Sequence, residues 1–127
     1  MAGRRAARRT ALFLLYQWDL TGQPLASLYE GDIDEFSREL AEAVSIEAAE
    51  LDRMIDAASD EWRADRLGVL ERNVMRIGIY ELVHGTVPVE VAISEAVNLA
   101  KRYASDDAGK LVNGVLARVA RERVASS

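Results

Sequence analysis

Apolar residues recur along the chain at intervals of three and four positions, and no stretch alternates as a β-strand does. The first predicted helix runs from about Arg5 to Leu20, and residues 21–24 provide the turn that ends it. This helix opens with arginines and continues as an almost wholly apolar run. Its pattern predicts a basic end in solvent and an apolar end in the core.

Two further helices are predicted in the first half of the chain. Asp32 has the features of an N-cap, because Glu35 follows it at the spacing of a capping box. Ser45 is predicted to cap the next helix, whose core face lies between Leu51 and Ala58. The first half therefore contains three predicted helices.

The second half centres on a predicted helix from Val74 to Val83 in which only Arg76 and Glu81 are charged. A helix that is apolar nearly all round must be surrounded by protein. Gly78 costs this helix about 1 kcal/mol relative to alanine, and the close approach of a neighbouring helix would offset that cost. We expect Gly114, in the last helix, to make this contact.

Two more helices complete the prediction. Pro88 suits the first turn of one of them, because the missing N–H of proline is no loss there. Ser105 is predicted to cap the last helix, and Asp106 and Asp107 in its first turn complement the helix dipole. The chain is thus predicted to be all-α, with about six helices.

Composition is that of a globular protein, with 50% hydrophobic and 29% charged residues among 127. The absence of cysteine excludes disulfides and thiolate zinc sites. The apolar run from Ala11 to Tyr16 is far shorter than the ~20 residues that a membrane-spanning helix needs. No cleavage site of a signal peptide follows it. We therefore expect a cytoplasmic protein.

Charge is divided unevenly along the chain. Residues 1–18 hold four arginines and no acidic residue, and residues 19–100 hold six basic and eighteen acidic residues. Residues 101–127 hold six basic and three acidic residues, which brings the net charge of the chain to −5. Two basic ends and an acidic middle can present surfaces of both signs.

No constellation of catalytic residues is recognisable. The chain contains no nucleophile elbow and no phosphate-binding glycine loop. The single histidine, His84, ends the central helix, where histidine usually interacts with the helix dipole. The acidic residues around Asp32 lack the glycine and terminal glutamate of an EF-hand. We predict no catalytic residue, no metal site and no cofactor.

The arginines at the start of the chain form a basic group. Arg4, Arg5, Arg8 and Arg9 span an arc of roughly 140° on a helix. Guanidinium groups bind phosphate in a bidentate manner, and arginine-rich segments recur in RNA recognition. Tyr16 could add a stacking surface for a base, and its alternative is a core position with a solvated hydroxyl. We interpret the segment as a nucleic-acid-binding element fixed to the core.

A second basic group comprises Lys101, Arg102 and Lys110. These residues could simply complement helix ends. If the two ends of the chain meet in space, the two groups together form one phosphate-binding surface.

The second half carries a motif pattern of higher specificity. The stretches ERNVMRIGIYELVHGTVPVEVAISEAVNLAKRY and SDDAGKLVNGVLARV, in that order, closely resemble the NusB family of transcription antitermination factors. The arginine-rich start and its LYQW sequence resemble the start of the same family. The resemblance covers most of the chain and is weakest over residues 20–60. It implies an all-helical fold of two packed subdomains, over residues 1–60 and 61–127, within one compact domain.

The resemblance also implies a function. Family members bind the boxA element of ribosomal RNA leader transcripts together with a ribosomal protein, NusE. With other Nus factors, they help RNA polymerase to read through terminators. They are not catalytic, and some of them self-associate, so that a homodimer is among the expectations.

The family pattern assigns roles to residues of this chain. Arg4, Arg5 and Arg8 correspond to the basic motif that contacts RNA phosphates, and we include Arg9 with them. Tyr16 corresponds to the tyrosine of the N-terminal motif and is expected to contact RNA or the protein partner.

The second half contributes further expected contacts. Asp107 and Lys110 are expected near RNA, and Glu71 is expected to contact the protein partner. Asn113 is expected to form hydrogen bonds inside the bundle. Leu111 replaces the usual phenylalanine, which removes an aromatic contact to a base. A second departure is Ser94, which replaces the usual asparagine or aspartate.

Three alternatives remain open. The first is an accessory domain of ribosomal RNA modification, since NusB-like domains also occur fused to methyltransferases; 127 residues leave no room for that enzyme's cofactor domain. The second is a helix-turn-helix regulator, which would prefer duplex DNA to single-stranded RNA. The third is a helical scaffold that binds only protein and would tolerate the loss of its arginines.

Overall fold

Five α-helices account for most of residues 3–126, the part of the chain that the structure, a computed structural model, describes; side chains are described for residues 3–123. The helices are α1 (Arg4–Thr21), α2 (Glu35–Ala58), α3 (Val69–His84), α4 (Val89–Tyr103) and α5 (Asp106–Ser126). Short 3₁₀ turns at Leu25–Leu28 and Ala64–Arg66 lie in the two longer connections. Residues 3–126 contain no strand, which confirms the all-α prediction.

Two helices end at glycines as predicted. Gly22 follows α1 with φ +72°, and its N–H donates to the carbonyl of Trp18 at 3.0 Å. Gly85 follows α3 with φ +62°. Glycine adopts this left-handed conformation without the steric cost that a Cβ atom brings.

Two expectations about the first half are wrong. The N-cap of α2 is Asp34 rather than Asp32, and its carboxylate accepts from the N–H groups of Phe36 and Ser37. Ser45 does not begin a new helix. Its hydroxyl donates to the carbonyl of Glu42 at 2.7 Å within α2, a bond that serine can make in a helix interior. One long helix therefore replaces the two that were predicted, and the chain has five α-helices rather than six.

Helix α3 lies at the centre of the bundle and packs against each of the other four helices. All residues from Asn73 to Ile79 are buried, including the charged Arg76. This confirms the prediction of a central helix surrounded by protein. The core cluster extends from Ala11 in α1 to Val119 in α5. The division into subdomains at residue 60 stays a prediction.

Gly78 allows the close approach that was expected, but with a different neighbour. A Cβ atom at Gly78 would lie 2.6 Å from Leu116 Cδ1 and 3.2 Å from Ala96 Cβ. Gly114 is exposed and has open space around its Cα atom, so the predicted contact between the two glycines is wrong. The neighbouring Asn113 is also exposed, which contradicts its expected place inside the bundle.

Helices α4 and α5 form a tight pair. Ser105 caps α5 as predicted, because its hydroxyl accepts from the N–H of Ala108 at 3.0 Å. Pro88 is the residue just before α4, one position earlier than expected. The aliphatic stem of Lys101 lies against Gly109, where a Cβ atom would come within 2.6 Å of it. Within residues 3–126, no helix is long and apolar enough to cross a membrane.

Candidate nucleic-acid interface

The four arginines of α1 have different environments. Arg8 is only 3% exposed, and its guanidinium donates to both carboxylate oxygens of Glu81, with two contacts of 2.9 Å. Glu81 is 2% exposed. A charge this far from water requires an ion partner. The role of Arg8 as a phosphate contact is therefore wrong for this structure, because its donors point into the core.

The helical period explains why Arg8 faces inward. Leu12 and Leu15 follow it by four and seven positions, and both are fully buried. Residues at these intervals share one face of a helix. Arg8 thus extends the apolar face of α1, and it is tolerated there because Glu81 on α3 neutralises it.

Arg4 lies at the exposed start of α1. Its guanidinium carbon is 4.7 Å from the centre of the Phe36 ring on α2, within the range of a cation–π interaction. No carboxylate forms an ion pair with Arg4 among residues 3–123. Its donors therefore remain available to a phosphate while the ring orients the side chain.

A groove of about 250 Å³ separates α1 from α4, and we call it the α1–α4 groove. Its lining residues are Arg5, Arg9, Glu95, Asn98, Leu99, Arg102 and Tyr103. Three arginines against one glutamate leave the groove with a net positive charge. Such a groove suits the phosphate backbone of a nucleic acid.

Two of the arginines in this groove are unpaired. Neither Arg9 nor Arg102 has a carboxylate within ion-pair distance in the described part of the chain. The guanidinium carbon of Arg102 lies 5.5 Å from the centre of the Tyr103 ring. The Tyr103 ring in turn meets Phe13 of α1 edge to face, with 5.0 Å between ring centres. Aromatic contacts thus join α4 to α1 beside the groove.

Arg5 is the paired arginine of the groove. Its Nη2 and Nε atoms donate to the Glu95 carboxylate at 3.0 and 3.2 Å. These hydrogen bonds, and then the negative charge of Glu95, raise the pKa of the Arg5 guanidinium above its ordinary value. Arg5 is exposed, and an arginine side chain stays charged throughout the physiological pH range.

Only one residue of the second basic group lies near the arginines of α1. Arg102 joins the α1 arginines in the α1–α4 groove. Lys110 lies in a different groove, and the stem of Lys101 covers Gly109. The sequence left open whether the two basic groups meet, and in the structure only Arg102 of the second group lines the groove with α1 arginines.

A larger groove of about 630 Å³ lies where the start of α3 meets the start of α5, and we call it the α3–α5 groove. It is lined by Glu61, Trp62, Arg66, Leu67, Gly68, Glu71, Asp107, Ala108, Lys110 and Leu111. Glu71 comes from one family motif and Asp107 and Lys110 from another, and the structure brings all three into this groove. The groove also contains Trp62, which is 47% exposed.

Sequence reasoning missed several of these residues. Trp62 carried a signal, because a tryptophan in a charged, loop-forming stretch is a candidate for binding rather than packing. Glu95 and Asn98 gave no comparable signal in the sequence. They matter because they lie in α4, across the groove from the arginines of α1. Arg102 was named in the second basic group, but the sequence left open whether it lies near the α1 arginines.

Tyr16 lies on an exposed apolar ridge of α1. Phe13, Tyr16 and Leu20 are 41%, 36% and 58% exposed, and they follow Arg9 at intervals of four, three and four. This exposure contradicts the alternative in which Tyr16 is a core residue. An apolar ridge that continues a line of arginines can contact either bases or a protein partner.

The match to a family model covers residues 5–121 and identifies the NusB family. The transcription antitermination protein NusB of Rubrobacter xylanophilus is 38% identical over 120 residues, which cover 89% of this chain and 86% of that protein. The protein of the same name from Myxococcus xanthus is 37% identical, with 94% and 96% of the two chains covered.

A similar fold is found in a solved structure of the antitermination factors NusB and NusE in complex with double-stranded RNA. The TM-score is 0.81 at 32% identity, and the alignment covers 94% of this chain and 96% of that one. The likeness therefore extends over nearly the whole bundle, including the helices that line both grooves.

Proposed function

The chain belongs to the NusB family, and from this we propose that it is a transcription antitermination factor. It binds boxA-type RNA of ribosomal leader transcripts together with the ribosomal protein NusE. Through other Nus factors, this complex helps RNA polymerase to read through terminators. In this proposal the protein has no catalytic activity of its own, and it works in the cytoplasm, where transcripts are made.

The observation that carries the proposal is the α1–α4 groove. Arg5 and Arg9 come from one end of the chain and Arg102 from the other, and all three line one channel. Arg4 lies one position before Arg5 at the exposed start of α1. These arginines present a row of guanidinium groups to a single strand, and guanidinium groups bind phosphate in a bidentate manner.

The α3–α5 groove supplies the second set of RNA contacts. Lys110 offers a positive charge, and Trp62 offers an exposed aromatic surface for stacking. Trp62 takes over the stacking that the leucine at position 111 cannot provide. Asp107 lies beside them and can accept a hydrogen bond from a base amino group.

The protein partner binds where α1 ends and α3 begins. The ridge formed by Phe13, Tyr16 and Leu20 gives an apolar centre to this surface. Asp19 of α1 pairs with Arg72 of α3 at 2.9 Å, which ties the end of α1 to the start of α3, the part of that helix that carries Glu71. A negative charge at Glu71 favours a basic ribosomal protein and speeds its association.

The test is RNA binding measured by fluorescence anisotropy, with a boxA-like oligonucleotide and a scrambled control, each with and without NusE. We expect the wild-type protein to prefer the boxA-like RNA, and NusE to increase its affinity. Loss of the preference would overturn the proposal. Duplex DNA as a competitor separates this function from that of a DNA-binding regulator.

Substitution of the groove arginines locates the binding surface. Arg9→Ala and Arg102→Ala should each weaken RNA binding and reduce the slope of log affinity against log salt by about 0.7, the value for one phosphate contact with a single strand. Arg53→Ala is the matched control, since Arg53 is an exposed arginine of α2 that pairs with Glu50. A pure protein scaffold would show no difference among the three variants.

A further inference from the structure

We propose that Glu95 restrains sequence-independent RNA binding by holding Arg5 in an ion pair with which an incoming phosphate must compete. The inference rests on the proposed function, because it concerns the same groove. It assigns a role to a carboxylate that lies among the arginines of a surface otherwise suited to polyanions.

The two side chains of the Arg5–Glu95 ion pair differ in their exposure to solvent. The Glu95 side chain is 14% exposed, whereas the Arg5 side chain is 76% exposed. The carboxylate is therefore held within the groove by α4, and the guanidinium covers it from the solvent side. A phosphate arriving from solvent meets Arg5 first and competes directly with Glu95 for the same donors.

The other arginines of the groove have no such restraint. Arg9 and Arg102 form no ion pair with any carboxylate of residues 3–123, and Glu95 is the one acidic residue among the groove's lining residues. In the free protein, the groove thus has two uncompensated arginines and one that is neutralised. Its attraction for a bare phosphate backbone is smaller than the number of arginines indicates.

This restraint affects all RNA sequences through the phosphate backbone. A phosphate at Arg5 either displaces Glu95 or binds beside it against the repulsion of like charges. Either route lowers the purely electrostatic affinity, which is the component that binds any RNA. Sequence preference then depends more on base contacts and on the protein partner.

The decisive variant is Glu95→Gln, which keeps the shape of the side chain and removes its charge. We expect its affinity for scrambled single-stranded RNA to rise by about two- to fivefold at low salt, the size of a modest surface ion pair. The slope of log affinity against log salt should become steeper by about 0.7, because Arg5 then neutralises a phosphate and releases a counterion from the RNA.

Glu122→Gln is the matched control. It makes the same change in net charge at another arginine–glutamate pair, that of Arg118 on α5, which lines neither groove. This variant should bind RNA as the wild-type protein does. Circular dichroism checks that each variant is folded. If Glu95→Gln is unstable, Glu95→Ala replaces it, and the same rise in RNA affinity is expected.

Arg5→Ala provides the test of mechanism. In that background, Glu95→Gln should no longer steepen the slope of log affinity against log salt, because there is no guanidinium left to neutralise a phosphate. An equal steepening in both backgrounds would overturn the inference, as would an unchanged or lower affinity of folded Glu95→Gln. Absence of RNA binding by the wild-type protein would instead overturn the proposed function, and this inference with it.

Discussion

At the scale of single residues, the ion pair between Arg8 and Glu81 is the one most completely removed from water among the described pairs. Both side chains are at most 4% exposed, and three hydrogen bonds join them. Phe36 also lies near the Arg8 guanidinium, with its ring centre 6.0 Å away. The pair fixes the basic end of α1 against α3 and thereby positions the arginines on the outer face.

Removing one partner of this pair should be far more harmful than removing both. Arg8→Met leaves an uncompensated carboxylate in the core and is expected to cost about 3–5 kcal/mol of unfolding free energy. Arg8→Met combined with Glu81→Leu should recover most of that loss, since no charge is then buried. Urea unfolding followed by circular dichroism measures both. The idea fails if the double variant is less stable than the single one.

The sequence contained the information needed to place Arg8, but it was spread over two helices. Leu12 and Leu15 show that position 8 is on the inner face of α1, and Glu81 is an acidic residue in a helix that must be buried. A buried acidic residue requires a cation from elsewhere in the chain. By contrast, nothing in the spacing of residues links Arg5 to Glu95, which is 90 positions away.

At the scale of helices, the two glycines Gly78 and Gly114 provide a direct comparison. A Cβ atom at Gly78 would meet Leu116 and Ala96 too closely, whereas a Cβ atom at Gly114 would meet nothing within 4 Å. The same substitution therefore has opposite consequences in α3 and α5.

Gly78→Ala should destabilise the protein by about 1–2 kcal/mol, because overpacking the contact outweighs the gain in helix propensity. Gly114→Ala should stabilise it by about 0.5–1 kcal/mol through helix propensity alone. Thermal unfolding of the two variants, compared with the wild type, checks both predictions. A stabilised Gly78→Ala variant would show that Leu116 moves aside without cost.

Helix positions were predicted well where strong end signals exist. Gly22, Gly85 and Ser105 mark ends that the structure confirms, because each supplies a backbone conformation or a hydrogen bond that other residues supply less well. Ser45 misled the prediction, because a serine hydroxyl can cap a helix or bond back within one. The core contacts along α2 favoured the continuous helix.

At the scale of the whole molecule, a polar network around Asp19 and Arg76 connects three helices. The Asp19 Oδ2 atom accepts from Arg72 Nε at 2.9 Å, Asn73 Nδ2 at 3.0 Å and Arg76 Nη1 at 2.9 Å. Arg76 also forms a bidentate pair with Asp52 of α2, with both contacts at 2.7 Å. The network therefore ties α1 and α2 to the central helix.

Low pH should lower the folding stability of the protein, partly through this network. Burial acts to raise the pKa of Asp19, but hydrogen bonds from Arg72 and Asn73 and the charge of Arg76 lower it overall, below its ordinary value of 3.8. A lowered pKa in the folded state means that Asp19 stabilises the protein above pH 3.8 and loses this effect as the pH falls further.

Comparison with Asp19→Asn tests this contribution. The difference in unfolding free energy between wild type and variant should be constant above about pH 5 and should shrink as the pH falls below the ordinary pKa. Urea unfolding at a series of pH values measures it. Asp32→Asn, at an exposed loop position, should track the wild type throughout, and an equal gap at pH 3 and pH 6 would contradict the prediction.

The α1–α4 groove has a consequence for the protein's own synthesis. During translation, Arg5 on one wall of the groove leaves the ribosome about ninety residues before Glu95 on the other wall. A chain in which α4 has not yet been synthesised therefore carries the α1 arginines but lacks the α1–α4 groove. The groove is completed only when α4 has emerged and docked, so we expect a partially synthesised chain to lack the proposed RNA-binding surface.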